Sequence, residues 1–300
     1  MSNLNVLIHP FWQFEIDLPD VQVTRWDLTG TPPLEADIVV TGHWAPQNAV
    51  EQAAAAGAKL LQIGSIGFDA INPDLPSGLQ VANATTVHES ATSETVLTAL
   101  LAAIREIPQL VRDMDAHKWN NFYGTGLADK KVLLIGVGGV GQAIRRRLEP
   151  FETELTFVAS RERDEDFGHV YALDQVAELL PAQDIVITVI PANEKTNGFI
   201  NADFLAKMKD GAVLLNAGRG SLADMDALVA EGKRLKIVLD VTTPEPLPAE
   251  HPIWDAATLI TAHNGGNTDA MHPRMKALLE RQIKHALADE AFENIVLGNS

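Results

Sequence analysis

The chain has 300 residues, a net charge of −17 and no cysteine. The lack of cysteine excludes disulfides, thiolate zinc sites, iron–sulfur clusters and cysteine nucleophiles, and we expect no metal site. The negative charge disfavours a nucleic-acid or anionic-membrane surface, because phosphate would be repelled. No apolar run is long enough to span a bilayer, and the N-terminus lacks the pattern of a signal peptide. We therefore expect a cytoplasmic protein with no nucleic-acid or membrane partner.

Short apolar runs alternate with helical patterns along the chain. Runs such as VLLIG, DIVITVI and AVLLN are apolar on both faces, which is typical of parallel strands covered by helices. A first series of strands is predicted at 6–9, 21–26, 38–41, 60–63 and 79–83. A second series is predicted at 132–135, 155–158, 185–190, 213–216, 237–241 and 259–261. The alternation predicts an α/β fold with two doubly wound, Rossmann-like domains that have parallel sheets.

The order of the elements also predicts where the domains divide. A strong helical pattern in HESATSETVLTALLAAIREI could carry the chain from one domain to the other. After His263 the chain becomes helical again, and this tail is expected to pack on the first domain. We predict a substrate domain from residues 1–95 and 268–300, and a dinucleotide-binding domain from residues 96–267.

The segment GVGGVG follows a predicted strand and precedes a predicted helix. Gly136, Gly138 and Gly141 have G-x-G-x-x-G spacing, with Gly139 and Val140 between them. Such a motif needs a tight turn, a close backbone approach to pyrophosphate, and close packing of helix on strand. The helix N-terminus adds N–H groups for phosphate. In this context the motif predicts a dinucleotide site, whereas alone it would fit any glycine-rich turn.

The end of the next strand indicates which dinucleotide is bound. An acidic residue commonly lies there and accepts the adenosine ribose hydroxyls, but this chain has Ala159 followed by Ser160 and Arg161, with Arg163 nearby. A hydroxyl and guanidinium groups favour a 2′-phosphate. We therefore expect NADP(H) to be preferred, with NAD(H) possible. Alternatively, the two arginines only pair with the neighbouring acidic residues.

Three later strand ends carry candidate catalytic groups. Arg219 follows the strand in LLNAGRG, Glu245 lies in the proline-rich loop after VLDV, and His263 follows LITA. Ligands of open α/β sheets bind at such carboxyl ends, so we expect these side chains to converge. Arg219 suits a carboxylate or a polarised carbonyl. His263 can transfer a proton near neutral pH, and Glu245 can fix its tautomer.

Together these segments resemble the D-isomer-specific 2-hydroxyacid dehydrogenase family. The matching text is GVGGVG, GFINADFLAKMKDGAVLLNAGRGSLADMDAL, LDVTTPEPLPAEHPIWD and TAHNGG, with LLQIGSIGFDAIN and SETVLTALLAAIRE. The resemblance implies NAD(P)H-dependent reduction of a small 2-keto acid to the D-2-hydroxy acid, and the reverse. It makes Arg219 the substrate-binding residue, Glu245 the residue that orients the histidine, and His263 the acid/base. It also implies a cleft between the domains and a homodimer formed through the cofactor domain.

The resemblance assigns further residues to cofactor and substrate. Asp240 would hold the nicotinamide amide, and Pro191 and Thr196 would line the cofactor. The backbone amides of Ile66 and Gly67 would grip the substrate carboxylate. These residues complete the expected site.

Some features leave alternatives open. The family commonly has Thr-Pro-His where this chain has Thr261-Ala262-His263, which can reshape the pocket. Trp44 could overlie the substrate or pack on its own domain. We expect a member similar to glyoxylate/hydroxypyruvate reductases. The alternatives are a phosphoglycerate dehydrogenase-type activity and a dinucleotide-sensing binding protein on the same fold.

Overall fold

The computed structural model describes residues 4–298, which divide into two compact units by their contacts. The first unit comprises the chain up to His88 and the chain from Thr268 onward. The second unit runs from Glu89 to Asn267. Each unit has its own sheet flanked by helices. The predicted α/β class with two Rossmann-like sheets is confirmed.

The first unit contains a six-stranded sheet in the order β14-β5-β4-β3-β1-β2. Its strands are β1 Leu4–Ile8, β2 Val21–Arg25, β3 Ile38–Val40, β4 Leu60–Gln62, β5 Gln80–Ala82 and β14 Ile295–Leu297. The first five strands pair in parallel, whereas β14 runs antiparallel to β5. Sequence analysis missed β14 and predicted only parallel strands, so the sheet is mixed rather than purely parallel.

The second unit contains an eight-stranded sheet in the order β13-β12-β11-β10-β6-β7-β9-β8. Its strands are β6 Lys131–Ile135, β7 Glu154–Ala159, β8 Arg163–Glu165, β9 Gly168–Ala172, β10 Ile185–Thr188, β11 Val213–Asn216, β12 Lys236–Leu239 and β13 Leu259–Ile260. All pairs are parallel except the edge hairpin of β8 and β9. This hairpin was not predicted, because β8 is exposed and has no apolar alternation.

Helices cover both faces of each sheet. The chain forms α1 Ala49–Ala55, α2 Glu89–Ile104, α3 Ile107–Asp115, α4 Gly139–Leu148, α5 Val176–Leu179, α6 Ala202–Ala206, α7 Met225–Glu231, α8 Ile253–Ala256 and α9 Met271–Ala288. In the second unit, α2 and α4 contribute to one core and α5 to α8 to the other. In the first unit, α1 packs in one core and α9 in the other. None of the helices within residues 4–298 has the length and apolar composition needed to cross a membrane.

The central strands explain why these sheets are stable. Leu133, Leu134 and Ile135 of β6 are fully buried and point alternately into the two cores of the second unit. Each such side chain contributes about 1.5–3 kcal/mol of transfer free energy when it leaves water. The apolar strands therefore form a rigid platform, and the polar residues that follow their carboxyl ends are left to form a site.

Candidate active site

The glycine turn joins β6 to α4. Gly136 has φ +111°, which favours glycine, and a Cβ there would lie 3.0 Å from the Val189 backbone. A Cβ on Gly141 would lie 1.9 Å from the Gly136 carbonyl oxygen, so α4 can approach the strand only because Gly141 is glycine. The turn therefore meets two of the requirements of a dinucleotide motif, the tight bend and the close packing of helix on strand.

The remaining requirement is space for pyrophosphate beside Gly138. A Cβ placed on Gly138 would meet nothing within 4 Å, so open space lies against the backbone at this position. Gly138 is the N-cap of α4 and provides no side-chain cap, and Gly139 and Val140 follow in its first turn. Uncapped N–H groups at a helix N-terminus bind anions. The turn thus fits the pyrophosphate of a nicotinamide dinucleotide.

The end of β7 carries the residues expected to recognise the adenosine ribose. Ser160 and Arg161 are exposed directly after Ala159, the last residue of the strand. Within residues 4–298, no side chain forms a hydrogen bond or a salt bridge with the Arg161 guanidinium. Its charge is therefore available to an anionic ligand, and the alternative that Arg161 only pairs with neighbouring acidic residues is disfavoured.

Arg163 differs from Arg161. It lies in β8, and its Nε donates to Glu165 Oε1 at 2.5 Å. One terminal nitrogen also donates to the Arg161 carbonyl oxygen at 3.3 Å. These contacts engage Arg163 within the hairpin, so its guanidinium is less available to a phosphate than that of Arg161.

A histidine–carboxylate pair lies beyond the ends of β12 and β13. His263 Nδ1 lies 2.7 Å from Glu245 Oε2. Glu245 Oε1 accepts the Thr242 backbone N–H at 2.9 Å, so both carboxylate oxygens are engaged. A carboxylate at Nδ1 selects the tautomer with its proton on that nitrogen. Nε2 is therefore the ring nitrogen that could exchange a proton with a ligand.

Arg219 lies in the neighbouring segment after β11. Asn216 Nδ2 donates to the Arg219 carbonyl oxygen at 2.9 Å, and Asn216 Oδ1 accepts the Gly218 N–H at 3.1 Å. A Cβ on Gly220 would lie 1.8 Å from the Thr242 carbonyl oxygen, so this segment packs directly on the one that orients Glu245. The structure thus brings the segments of Arg219, Glu245 and His263 together at adjacent strand ends.

Asp240 anchors the segment that carries the histidine. Its buried carboxylate accepts hydrogen bonds from the Thr261 hydroxyl at 2.6 Å and from the N–H groups of Asn264 and Gly265 at 3.1 and 3.2 Å. The His263 N–H donates to the Asp240 carbonyl oxygen at 2.5 Å. A carboxylate has about four acceptor positions, so these bonds are compatible with the predicted contact to a nicotinamide amide.

The loop after β10 contains Pro191 and Thr196. The Thr196 hydroxyl donates to the Pro191 carbonyl oxygen at 2.8 Å and accepts the Asn193 N–H at 2.8 Å. Thr196 is buried and Pro191 is exposed. The observed role of Thr196 is to close this loop, and the predicted contact of both residues with cofactor stays a prediction.

The first unit carries the other predicted substrate residues. Within residues 4–298, the backbone N–H groups of Ile66 and Gly67 have no hydrogen-bond partner, whereas the Ile66 carbonyl oxygen accepts from Asn83. These N–H groups suit a carboxylate. Trp44 is 58% exposed and lies edge-on to His43, with ring centroids 4.7 Å apart. Trp44 therefore contacts its own unit through His43 and is more than half exposed, and its predicted contact with substrate stays a prediction.

Sequence reasoning missed residues that position the site. Thr242 orients Glu245 through its backbone N–H, and Asn216 shapes the Arg219 segment. Asn216 could have been noticed, because a buried polar residue at a strand end needs partners. The role of Thr242 depends on the path of its loop and has no sequence signal. Among the described residues, no group of three acidic or histidine side chains could hold a metal ion.

Comparison with known proteins shows the family. Residues 97–265, more than half of the chain, match the model of the D-isomer specific 2-hydroxyacid dehydrogenase, NAD binding domain. The chain is 31% identical over 251 residues to a human (Homo sapiens) glyoxylate reductase/hydroxypyruvate reductase, covering 79% of this chain and 76% of that protein. It is 30% identical over 277 residues to a D-3-phosphoglycerate dehydrogenase of Methanocaldococcus jannaschii, covering 87% of this chain and 52% of that protein.

A solved structure agrees at the level of the fold. The D-isomer specific 2-hydroxyacid dehydrogenase of Xanthobacter autotrophicus Py2, in complex with NADPH and MES, has a TM-score of 0.80 at 23% identity, with 99% of this chain and 98% of that chain covered. Both sheets and their flanking helices therefore follow a known architecture. The chain thus belongs to the D-isomer-specific 2-hydroxyacid dehydrogenases, the NAD(P)-dependent oxidoreductases that interconvert 2-keto and 2-hydroxy acids.

Proposed function

We propose that the protein is an NADPH-linked reductase of small 2-keto acids, such as glyoxylate or hydroxypyruvate, that forms D-2-hydroxy acids. The observation that carries this proposal is the 2.7 Å contact between His263 Nδ1 and Glu245 Oε2. Because of this contact, the histidine at the strand ends of the second unit has a defined tautomer. The name of the human relative, a glyoxylate and hydroxypyruvate reductase, supports this choice of substrate.

The residues divide the chemistry between them. A nicotinamide cofactor held at the glycine turn would supply a hydride for the carbonyl carbon. His263 delivers the proton from Nε2 to the carbonyl oxygen, and Glu245 stabilises the imidazolium that precedes this transfer. Arg219 binds the substrate carboxylate by charge-assisted hydrogen bonds. In the reverse direction His263 accepts the hydroxyl proton, so the same groups serve oxidation of the 2-hydroxy acid.

The residues at the end of β7 support a preference for one of the two nicotinamide dinucleotides. Ser160 and Arg161 are exposed, and the position of the usual acidic residue is Ala159. A carboxylate there would repel a 2′-phosphate, whereas a hydroxyl and a guanidinium bind it. We therefore propose a preference for NADP(H), with NAD(H) as a weaker cofactor. The structure from Xanthobacter autotrophicus Py2, which has the same fold, is in complex with NADPH, and this supports a nicotinamide dinucleotide as the cofactor.

A panel of specificity constants tests the proposal. kcat/KM is measured for glyoxylate, hydroxypyruvate, pyruvate and the phosphorylated 2-keto acid that corresponds to phosphoglycerate, each with NADPH and with NADH. We expect the highest values for a small unphosphorylated acid with NADPH. The highest value for the phosphorylated acid would instead establish the phosphoglycerate dehydrogenase-type activity. Dinucleotide binding without turnover of any acid would indicate a dinucleotide-sensing protein.

We also propose a homodimer formed through the second unit. In α3, Ile107, Val111 and Met114 share one helical face, and each is at least 44% exposed. Trp119 and Tyr123 follow and are fully exposed. Such an apolar surface on a single chain is typical of a protein–protein contact. A second copy is the expected occupant, because the family resemblance implies pairing through the cofactor domain.

Sedimentation tests the dimer. The wild-type protein should sediment as a dimer, and Val111→Asp should shift it to the monomer because a carboxylate would be buried in the contact. Arg112→Gln, at an exposed position of the same helix outside that face, lowers the net charge by the same amount, serves as the control and should leave the dimer intact. A monomeric wild-type protein at micromolar concentration would contradict the proposal.

A further inference from the structure

An imidazole in the edge hairpin of the second unit bridges two carboxylates. His169 Nδ1 lies 2.8 Å from Asp164 Oδ1, and its Nε2 lies 3.1 Å from Glu162 Oε1. His169 belongs to β9, Asp164 to β8, and Glu162 to the loop between β7 and β8. The ring therefore links both arms of the hairpin to the loop that begins with Ser160.

The geometry defines the protonation of this ring. Carboxylates only accept hydrogen bonds, so an imidazole between two of them is fully bonded only when both of its nitrogens carry protons. The hydrogen bond to Asp164 raises the pKa of His169, and the charges of Asp164 and Glu162 act in the same direction. The geometry and the direction of the pKa shift therefore both favour the imidazolium form of His169.

The bridge also determines where the Glu162 carboxylate lies. Its second oxygen, Oε2, accepts from Gln175 Nε2 at 3.3 Å. Gln175 is itself fixed, because its Oε1 accepts the Ala172 N–H at 2.7 Å. Ala172 pairs with Ala159 across β7 and β9. Both oxygens of the Glu162 carboxylate are thus engaged, one by His169 and the other by Gln175.

The loop that begins with Ser160 is acidic, so its carboxylates need compensating positive charge. Glu162, Asp164, Glu165 and Asp166 all follow Arg161 within five residues. Arg163 neutralises Glu165 by a direct salt bridge. His169 is the side chain that offsets Glu162 and Asp164. Without His169, uncompensated negative charge would lie next to Ser160 and Arg161, the residues that we assign to a 2′-phosphate.

We propose that His169 is a positioning residue for cofactor specificity, which holds Glu162 away from the 2′-position and thereby lets a 2′-phosphorylated dinucleotide bind at Ser160 and Arg161. The inference rests on the proposed NADP(H) preference and extends it to a residue that does not touch the phosphate. Loss of the bridge releases Glu162 toward the ribose. A released carboxylate repels a 2′-phosphate and accepts hydroxyls from an unphosphorylated ribose.

The proposal predicts a pH dependence of binding. Because the pKa of His169 is raised, the imidazolium is present below that pKa and is lost as pH rises through it. The affinity for NADPH should then fall, whereas the affinity for NADH should not. The titratable groups in contact with the ring are Glu162, Asp164 and the phenol ring of Tyr171, whose centroid lies 4.5 Å away.

Binding titrations test the proposal without reference to turnover. Dissociation constants of NADPH and NADH are measured for the full chain by calorimetry at about pH 7 to 9.5, where a 2′-phosphate with a second pKa of about 6 stays ionised. His169→Asn should weaken NADPH binding about threefold to fivefold, because the loss corresponds to one exposed charge interaction. It should leave NADH unchanged or slightly tighter, and it should remove the alkaline loss of NADPH affinity.

A second variant separates positioning from damage to the hairpin. Adding Glu162→Gln to His169→Asn removes the released carboxylate and should restore most of the NADPH affinity. Equal weakening of NADPH and NADH by His169→Asn, or failure of Glu162→Gln to restore binding, would overturn the inference. Unchanged NADPH binding in His169→Asn would do the same.

The chain offers a matched control in the other unit. His285 also lies between two carboxylates, with Nδ1 3.1 Å from Glu290 and Nε2 3.3 Å from Glu293. His285→Asn removes the same kind of bridge and should not change the ratio of NADPH to NADH affinity. An equal change in this ratio would show a general charge effect and overturn the assignment to His169.

A further variant distinguishes the role of His169 from the NADP(H) preference on which it rests. Arg161→Ala measures the phosphate contact directly. If Arg161→Ala selectively weakens NADPH binding and His169→Asn changes neither affinity, only the proposed role of His169 is contradicted. Equal affinities for both cofactors in the wild-type protein and no selective loss in Arg161→Ala would remove the proposed NADP(H) preference itself.

Discussion

The Nδ1 atom of His263 lies 2.7 Å from Oε2 of Glu245, and the other oxygen of that carboxylate accepts the Thr242 N–H at 2.9 Å. The orientation of the imidazole is therefore set by the backbone that follows β12. The backbone N–H of His263 donates to the Asp240 carbonyl oxygen. Glu245 thus orients the imidazole, and Asp240 fixes the backbone that carries it, an arrangement that suits the proton transfer we propose.

Replacing the histidine should affect chemistry rather than binding. His263→Ala removes the proton donor, so kcat for 2-keto acid reduction should fall by about 10²–10⁴-fold. The dissociation constant of NADPH, measured by fluorescence titration, should change little. His117→Asn is a suitable control, because His117 is exposed and Asn tolerates its φ of +54°. Turnover of His263→Ala near that of the control would refute the assigned role.

Glu245 should act only through His263. Glu245→Gln keeps the shape of the side chain but cannot stabilise an imidazolium as a carboxylate does, so kcat should fall by about 10²-fold. The double variant with His263→Ala should be no slower than His263→Ala alone, because residues that act as one unit are not additive. Steady-state kinetics of the four proteins provide the measurement. Multiplied losses in the double variant would assign Glu245 an independent role.

The two arginines after β7 should differ in their effect on cofactor choice. Arg161→Ala should weaken NADPH binding by about tenfold or more, because a hydrogen bond to a charged group is lost. The affinity for NADH should stay nearly unchanged. Arg163→Ala should have a smaller effect, because its Nε is already paired with Glu165 at 2.5 Å. Dissociation constants for both cofactors check this order. The reverse order would place the phosphate on β8 instead.

The sequence predicts most of this architecture where strands are buried on both faces. β6, β10 and β11 are predicted from their apolar runs, and the structure buries nearly all of their side chains. The hairpin of β8 and β9 escapes prediction, because β8 is Arg-Asp-Glu and gains its order from pairing at the sheet edge. Tertiary pairing decides such strands, and propensity does not.

The candidate site likewise contains some residues that the sequence predicts and others that it does not. Arg219, Glu245 and His263 are found from sequence because parallel strands place their carboxyl ends on one edge, although their roles stay predictions. The bridge at His169 could not be predicted. It depends on how far β8 and β9 fold back along β7, and only the structure gives that register.

Two glycines of the turn should respond to alanine in opposite ways. A Cβ on Gly141 would lie 1.9 Å from the Gly136 carbonyl oxygen, so Gly141→Ala should destabilise the cofactor-free protein by about 1–3 kcal/mol through overpacking. A Cβ on Gly138 would meet nothing within 4 Å, and its φ of −72° suits alanine. Gly138→Ala should therefore fold normally.

The defect of Gly138→Ala should appear only when cofactor is added. The methyl group would occupy the space where pyrophosphate approaches the backbone, so NADPH and NADH should both weaken by a similar factor. Thermal unfolding without cofactor and titration with each cofactor separate the two effects. Equal affinity of Gly138→Ala and wild type for both cofactors would show that pyrophosphate does not bind against this glycine, and the site would have to be sought elsewhere along the turn.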